Sequence, residues 1–251
     1  MKYLVGLFLL LSGCTPAIAQ TYNAAYVKAL YAKYPTKKSN FCPACKIWVN
    51  PFYTSIADTQ RHMPLVTKEV LTKAHYALTA SVKIPRTGIF AAWSPVLNQP
   101  SEDKLYIAAN KIAKPKGDEI AKGHCNAWIL NAWCQDAAIL SDTYTFNAAC
   151  ESQGQNVGTE IATENYTRQL LATQDVTVWV GTFGSQGTFT DGKITDTYPA
   201  YYWKIIKYGT TTICYWMPNN KTENVATLPK RVVTYQQLVT NLGFDPEKIL
   251  P

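Results

Sequence analysis

Residues 156–168, NVGTEIATENYTR, place four polar side chains at four-residue steps: Asn156, Glu160, Glu164 and Arg168. This stretch predicts a helix of four to five turns, in which each step of four residues advances about 40° around the axis. The four side chains would therefore share one side of the helix. A solvated helix shows the same spacing, since Glu164 and Arg168 would form an ordinary ion pair.

Two shorter segments lie upstream of this helix. Residues 121–124 read AKGH, and residues 143–149 read TYTFNAA, with Asn147 inside the second segment. The chain has only three histidines, and a lone histidine is more often structural than catalytic. Hydrolysis of a phosphodiester, however, needs a base for water and a divalent ion at the phosphate. A neutral imidazole and an amide oxygen are side chains suited to these two tasks.

The three segments together resemble the DNA/RNA non-specific endonuclease family, the ββα-metal or His-Me finger nucleases. The family carries an Asp-Arg-Gly-His motif, then a strand that ends in asparagine, then a helix of the form N-x7-E-x3-R. AKGH, TYTFNAA and NVGTEIATENYTR stand in these three places. Further downstream VTVWVGTFG, YPAYYWKIIKY and CYWMPN resemble later strands of the family, so that the likeness runs from about Tyr76 to the C-terminus.

The resemblance implies roles for the matching residues in the chemical step. His124 would be the general base that activates water. Asn156 would be the direct ligand of Mg²⁺, with Mn²⁺ as a substitute, and Glu164 would orient the metal-bound waters. Asn147 matches a family asparagine of the catalytic site, where a supporting role is expected.

The resemblance also implies how substrate is held. Arg168 would contact phosphate and stabilise developing charge, and Lys122 would bind substrate where the family has arginine. The implied substrates are DNA and RNA, single or double stranded, without strong sequence preference, because such enzymes contact the backbone rather than the bases. The implied products carry 5′-phosphates and 3′-hydroxyls, and no protein partner is implied.

Three departures from the family pattern leave an alternative open. The usual aspartate is Ala121, and Lys122 keeps the charge of the usual arginine but loses its bidentate fork. A further family arginine has no clear match in GIFAAWSPV, residues 88–96. The alternative is a non-catalytic nucleic-acid-binding lipoprotein on a decayed nuclease fold. A disulfide-rich adhesion domain would explain the cysteines but not the spacing of the motifs.

Composition predicts one packed domain. Apolar residues make up 47% of the chain and the net charge is +7, which argues against disorder and favours anionic partners weakly. Helices are predicted near both ends, and strands at VTVWVGTFG, YYWKIIKYG and TTICYWMPN, the last two as a hairpin. The prediction is a mixed α+β fold with a mainly antiparallel central sheet, flanking helices and a ββα-metal finger.

Three further segments were interpreted from local pattern. GIFAAWSPVL and DTYTFNAAC, residues 142–150, predict strands. PSEDKLYIAANKIAKPKGDE, residues 100–119, predicts a lysine-rich linker or loop that Pro100 and Pro115 interrupt. The lysines of this region would line a nucleic-acid groove, or equally would belong to a solvated linker; they are Lys104, Lys111, Lys114, Lys116 and Lys122.

The first twenty residues, MKYLVGLFLLLSGCTPAIAQ, read as an export signal whose apolar run is too short to span a bilayer. LLSGC resembles a lipobox, which would make Cys14 a lipidated first residue, while AIA before Gln20 resembles a signal-peptidase site. The predicted organisation is therefore a leader over residues 1–19 and a single nuclease domain over residues 20–251. The protein would be exported: periplasmic, anchored to the outer membrane or extracellular.

Six cysteines remain after this leader, and an even number in an exported chain favours disulfides, with fifteen possible pairings. CPAC at residues 42–45 could instead be half a zinc site or a redox motif. Because Cys125 follows His124 directly, we expect it to take part in a disulfide that braces the finger.

Overall fold

The computed structural model describes residues 24–80, 84, 93–94, 99–100 and 102–250. Its strands are β1 (Lys37–Lys38), β2 (Cys45–Val49), β3 (Tyr53–Asp58), β4 (Met63–Leu71), β5 (Trp93–Ser94), β6 (Gln99–Pro100), β7 (Ile120–His124), β8 (Ala148–Ser152), β9 (Val176–Phe183), β10 (Thr188–Thr190), β11 (Thr195–Thr197), β12 (Tyr201–Tyr208), β13 (Thr211–Pro218) and β14 (Val232–Val233).

The α-helices are α1 (Ala24–Ala32), α2 (Lys73–Thr79), α3 (Asp103–Ala113), α4 (Trp128–Asn131), α5 (Gln135–Ser141), α6 (Gln153–Gln155), α7 (Ile161–Leu171), α8 (Tyr235–Leu242) and α9 (Pro246–Ile249). A π-helical turn, Asn156–Glu160, joins α6 to α7, and 3₁₀ turns cover Lys114–Lys116 and Val225–Arg231. Within the described part of the chain, no helix combines the length and apolarity needed to cross a bilayer.

An eight-stranded antiparallel sheet in the order β1-β2-β3-β4-β9-β12-β13-β14 forms the centre of the molecule. Strand β9 shows how its two faces are used. Val178 and Val180 pack with Leu171 of α7 on one face, whereas Trp179 packs with Leu238 of α8 on the other. Alternate residues of a strand point to opposite faces, so the sheet is a middle layer between two sets of helices. The mixed α+β prediction is confirmed.

Several predicted elements are confirmed. The N-terminal helix is α1, VTVWVGTFG contains β9, and the predicted hairpin is β12–β13, closed where Tyr208 pairs with Thr211. The terminal helix α8 ends at Gly243, whose φ of 74° is the left-handed conformation that glycine adopts easily. These segments have strong local patterns and clear stop signals, which explains why the sequence located them.

Two predictions about the segments around β7 are wrong. The expected lysine-rich linker contains α3, because Leu105, Tyr106, Ala109 and Ala113 recur at helical spacing and bury one face of a helix. The expected strand over residues 142–150 begins only at Ala148. Strands β2 to β4 were not predicted, and the strand expected at GIFAAWSPVL lies largely outside the described residues, as does the leader.

The cysteines follow the prediction only in part. Cys42 and Cys45 form a disulfide, so CPAC is a short closed loop. Cys125, Cys150 and Cys214 are free, buried thiols. The expectation that Cys125 takes part in a bracing disulfide is therefore wrong. Its side chain instead joins the apolar cluster that contains Val178 and Tyr202. A buried thiol packs like a small apolar side chain, so it needs no covalent partner.

Candidate active site

The segments AKGH and NVGTEIATENYTR meet in a ββα unit. Strands β7 and β8 pair antiparallel, with His124 opposite Ala148 and Lys122 opposite Cys150. The chain then turns directly into a continuous helical segment that runs from Gln153 to Leu171. A two-stranded ribbon followed by a helix holds the predicted base and the predicted metal ligand on neighbouring rigid elements.

Close packing explains the glycine of AKGH. A Cβ atom at Gly123 would lie closer than 3.0 Å to the carboxylate of Glu151 and to the hydroxyl of Tyr202. Only a residue without a side chain lets β7 approach both groups, so Gly123 fixes the position of the histidine that follows it.

His124 is buried at the end of β7, and its Nε2 lies 2.8 Å from Oδ1 of Asp142. A neutral imidazole that donates Nε2–H to this carboxylate has Nδ1 as its acceptor nitrogen. The carboxylate would also stabilise the imidazolium that forms when Nδ1 takes a proton. This arrangement would suit a general base that is held in one orientation. No sequence motif pointed to Asp142, which lies 18 residues from His124.

Asn147 braces the loop after His124. Its amide nitrogen donates to the carbonyl oxygens of Asn126 (2.9 Å) and Ser141 (2.5 Å), and its Oδ1 accepts from the backbone N–H of Asn126 at 2.8 Å. Its own carbonyl accepts from the N–H of Cys125 at 2.7 Å. The fully buried side chain ties three backbone segments together, which is a geometry for positioning rather than for contact with substrate.

The helix does not present its four polar residues in one environment. The π turn over Asn156–Glu160 is wider than an α turn and changes the phase of the residues before it relative to those after it. Asn156 and Glu164 are half-buried, Arg168 is exposed, and Glu160 is buried in an ion pair with Lys204. The four residues therefore differ in exposure, from buried Glu160 to exposed Arg168, and the helix contains a π turn where a regular α-helix was expected.

Carboxylates of this helix interact electrostatically with Glu151 on β8 and with Cys125, which follows β7. Burial, and then the charges of Glu160 and Glu164, raise the pKa of Glu151 well above its usual range. Burial, and then the charge of Glu160, raise the pKa of the Cys125 thiol. These effects require short separations, so the structure brings Glu160 near both Cys125 and Glu151, and Glu164 near Glu151 on β8.

Arg168 lies toward the far end of the helix. It is twelve residues after Asn156, which is about 18 Å along an α-helix. Its Nη1 donates to Asn165 at 3.2 Å and its Nε to the hydroxyl of Tyr76 at 3.4 Å. From this position Arg168 would reach a phosphate that flanks the one nearest Asn156.

Lys122 already has partners. Its ammonium forms an ion pair with Asp103 at the start of α3 and lies 5.1 Å from the ring centroid of Tyr144. Ala121, where the family has aspartate, faces Glu151 across the ribbon. The other four lysines of the predicted groove are exposed on α3 and the turn after it. They form a basic flank beside the ββα unit.

The two-stranded ribbon, the histidine at its end and the helix that follows together define a nuclease of the ββα-metal class. The model of the DNA/RNA non-specific endonuclease family matches residues 36–248, and the chain belongs to this family. It is similar in fold to the solved structure titled "Crystal structure of the EndoG/EndoGI complex: Mechanism of EndoG inhibition", with 18% identity, a TM-score of 0.63, and coverage of 80% of this chain and 86% of that chain. A comparison with curated proteins finds no match.

Nucleases of this family depend on a metal ion, and the residues present fit one. Asn156 offers a half-buried amide oxygen and Glu164 a half-buried carboxylate on the same helix. Oxygen donors of this kind suit a hard divalent ion that keeps several waters. Asn156 would hold the ion directly and Glu164 would hold its waters.

Proposed function

We propose that this protein is an exported, Mg²⁺-dependent, sugar-non-specific endonuclease that hydrolyses DNA and RNA to products with 5′-phosphates. Membership of the family makes it a nuclease, and the observation that carries the detailed proposal is the His124–Asp142 pair. A buried carboxylate 2.8 Å from Nε2 leaves Nδ1 as the basic nitrogen at the end of β7.

The protein residues would act in one hydrolytic step. Nδ1 of His124 takes a proton from water as the water oxygen attacks phosphorus, and Asp142 stabilises the imidazolium. The bond to the 3′ oxygen breaks, which leaves a 5′-phosphate and, after protonation, a 3′-hydroxyl. A divalent ion held by Asn156 supplies charge neutralisation at the phosphate and the leaving oxygen when it is bound.

Backbone contacts explain why both sugars would be accepted. Arg168 and the lysines of the basic flank are exposed cations, and cations recognise phosphates that DNA and RNA share. Binding should accordingly weaken steeply as salt rises. Mg²⁺ is proposed rather than a softer metal because the two candidate donors on the helix are oxygens.

Export is proposed from the leader pattern over residues 1–19, with a lipid anchor at Cys14 as one form of the mature protein. Its work would be the degradation of extracellular or periplasmic nucleic acid. Mass spectrometry of the mature N-terminus distinguishes a lipidated Cys14 from a free chain that starts at Gln20.

The decisive experiment compares purified protein with His124→Ala and with His75→Ala on supercoiled plasmid and on RNA, in Mg²⁺ or in EDTA. His75 is a matched control because it stacks on Trp133, with ring centroids 3.7 Å apart, and belongs to no motif. Both polymers should be cut in Mg²⁺ alone, His124→Ala should lose this activity, and His75→Ala should keep it. Cleavage that survives in folded His124→Ala would refute the proposed base.

A second candidate function is binding without cleavage. It is favoured by Ala121 in place of the family aspartate and by Lys122, whose charge is already compensated by Asp103. Nucleic-acid binding that persists in EDTA, with no cleavage in any divalent ion, would favour this candidate over the endonuclease.

A further inference from the structure

A cleft that the proposed chemical step does not use lies beside the ββα unit. Its walls are the β10–β11 hairpin, the C-terminal end of α3 with the turn that follows it, and the loop after β13. Its volume is about 500 Å³, which falls within the range of about 300–1,000 Å³ that is typical of sites for small ligands. This hairpin cleft is therefore large enough to take a nucleotide-sized group.

The loop wall of the hairpin cleft packs against the turn from β8 into the following helix. The backbone N–H of Ser152 donates to Oδ1 of Asn219 at 2.7 Å. A Cβ atom at Gly154 would lie closer than 3.0 Å to the backbone of Lys221, so only glycine permits this approach. Asn156, the proposed metal ligand, follows Gly154 by two residues. The cleft is therefore adjacent to the part of the helix that would hold the metal.

The floor of the hairpin cleft belongs to the strand that carries the proposed base. Ile120, the first residue of β7, lines the cleft. It precedes His124 by four strand residues, which is about 13 Å at 3.3 Å per residue. The cleft and the proposed base would thus contact neighbouring parts of one nucleic-acid strand.

Two aromatic rings form the apolar side of the hairpin cleft. Phe189 on β10 and Tyr198 after β11 are half-buried, and their ring centroids are 5.3 Å apart. Tyr198 is held in place, because its hydroxyl donates to Oδ2 of Asp118 at 3.2 Å. The hydroxyl of Ser152 donates to Oδ1 of the same carboxylate at 2.7 Å. Aromatic rings that are fixed by such contacts offer a surface on which a planar nucleobase can stack.

Cations border these rings. Lys116 and Lys221 line the hairpin cleft, and both side chains are exposed. Nζ of Lys221 donates to the carbonyl oxygen of Lys116 at 2.7 Å, which brings the two residues to one edge of the cleft. Among the described residues that line the cleft, Asp118 is the one acidic residue, and its oxygens accept from two hydroxyls. The excess positive charge suits a phosphate, and Lys116 continues the basic flank into the cleft.

We propose that the hairpin cleft binds one unpaired nucleotide of the substrate strand, with its base stacked on Phe189 and its phosphate near Lys116 and Lys221. The inference rests on the proposed nuclease function and adds a subsite to it. Stacking accepts any base, so the subsite would add affinity without sequence preference. A base in a duplex is paired and must leave the stack to enter a protein pocket. The cleft would accordingly contribute to the binding of single strands and not of intact duplexes.

The test measures binding of the full chain to labelled oligonucleotides by fluorescence anisotropy in EDTA, which prevents metal-dependent cleavage. The probes are a single strand, a strand of the same length made of abasic nucleotides, and a duplex. Phe189→Leu should weaken binding to the single strand at least about 5-fold, as expected for the loss of one stacked base. Its binding to the abasic strand and to the duplex should be unchanged.

Phe244→Leu is the matched control for this substitution. Phe244 is also half-buried, but it packs edge to face on Phe41 in the layer on the other face of the sheet. This variant should bind all three probes as the wild type does.

Lys116→Ala tests the phosphate contact. It should weaken binding to the single strand and to the abasic strand alike, and it should reduce the slope of log Kd against log salt by about 0.7. Lys248→Ala is the control, because its 81% exposed side chain lies on α9 in the other layer. It should leave both the affinity and the slope unchanged.

The proposal would be overturned by a folded Phe189→Leu protein that binds the single strand as tightly as the wild type, or that loses affinity equally for the abasic strand. Adenosine 5′-monophosphate separates a free nucleotide from a strand as the source of the bound group. Calorimetric binding of this nucleotide that Phe189→Leu abolishes, with strand binding unchanged, would assign the cleft to a free nucleotide and overturn the proposal.

If Phe189→Leu fails to fold by circular dichroism, photochemical cross-linking of the wild type to a strand that contains 5-bromouracil decides instead. The cross-linked peptide should contain Phe189 or Tyr198, and cross-links confined to other peptides would refute the subsite.

Plasmid cleavage in Mg²⁺, measured alongside, separates this result from the proposed function. A wild type that binds the single strand through Phe189 but does not cleave would refute the nuclease mechanism and leave the subsite supported. An active protein whose strand binding does not depend on Phe189 would refute the subsite alone. A wild type that binds no single strand would also refute the subsite.

Discussion

Replacement of Asp142 by asparagine tests the central geometry of the candidate active site. The substitution keeps the size of the side chain but removes the charge that lies 2.8 Å from Nε2 of His124. A hydrogen bond that involves a charged group contributes about 1.5–3 kcal/mol. If this contribution acts mainly on the imidazolium of the transition state, kcat should fall roughly 10- to 150-fold, at about 1.4 kcal/mol per decade.

KM should change little, because the proposed phosphate contacts of Arg168 and the basic flank are untouched. The assay is steady-state cleavage of DNA in Mg²⁺, with kcat and KM measured separately and stability followed by thermal unfolding. Asp136→Asn is the matched control. Asp136 lies on α5, and Asp142 directly follows the same helix. Oδ1 of Asp136, however, accepts a hydrogen bond from the hydroxyl of Tyr26 at 2.5 Å and not from His124.

Asp136→Asn should retain kcat within about two-fold, since no reacting group depends on it. The reasoning would be refuted by an Asp142→Asn protein that is folded and cleaves DNA with the kcat of the wild type. It would also be refuted by equal losses in both variants, because a general loss of helix packing would then explain the effect.

Three further predictions concern stability. Gly123→Ala should lower the free energy of unfolding by about 1–3 kcal/mol in urea titration, since its Cβ would overlap buried side chains; an unchanged midpoint would contradict the packing argument. Lys204→Met should cost about 3–5 kcal/mol by leaving Glu160 buried and uncompensated. Lys207→Met, which removes one partner of a pair whose side chains are 42% and 28% exposed, should cost under about 1 kcal/mol. Burial raises the pKa of Glu69 to about 8. The stability that protonated Glu69 contributes is therefore present below its unfolded pKa and is lost as pH rises through 8. Glu69→Gln should flatten the decline in the free energy of unfolding between pH 5 and 8, and parallel curves of this free energy against pH for the two proteins would refute the prediction.

The ββα unit was largely predictable because its signals are local. The spacing of Asn156, Glu164 and Arg168 lies within one helix, and AKGH lies within one strand. Patterns of this kind involve residues that are close in the chain, so they can be recognised without knowledge of the tertiary fold. Strand β9 and the β12–β13 hairpin were predictable for the same reason, as continuous β-branched and aromatic runs with a turn between them.

Other features depended on contacts between distant residues. The lysine-rich segment looked like a linker because its charges and prolines are conspicuous, whereas its burial against the ribbon decides that α3 forms. The free thiol of Cys125 was not predictable, because neither an even number of cysteines nor the adjacency of Cys125 to His124 gives the distance between two sulfur atoms. The π turn that contains Asn156 and Glu160 also departs from the regular α-helix that the four-residue spacing predicts.

The sequence by itself determined the family, the ββα unit and the residues from which a catalytic site would be built, because each motif is a short-range pattern of side chains. Only the tertiary structure decided that Asp142 orients His124, that Asn147 serves as a brace and that His62 converges with Glu102 and Asp196. Their partners lie 18, 21, 40 and 134 residues away. The sequence carries no periodicity at such separations, and a buried polar group finds its partner only when the packed layers bring the two segments together.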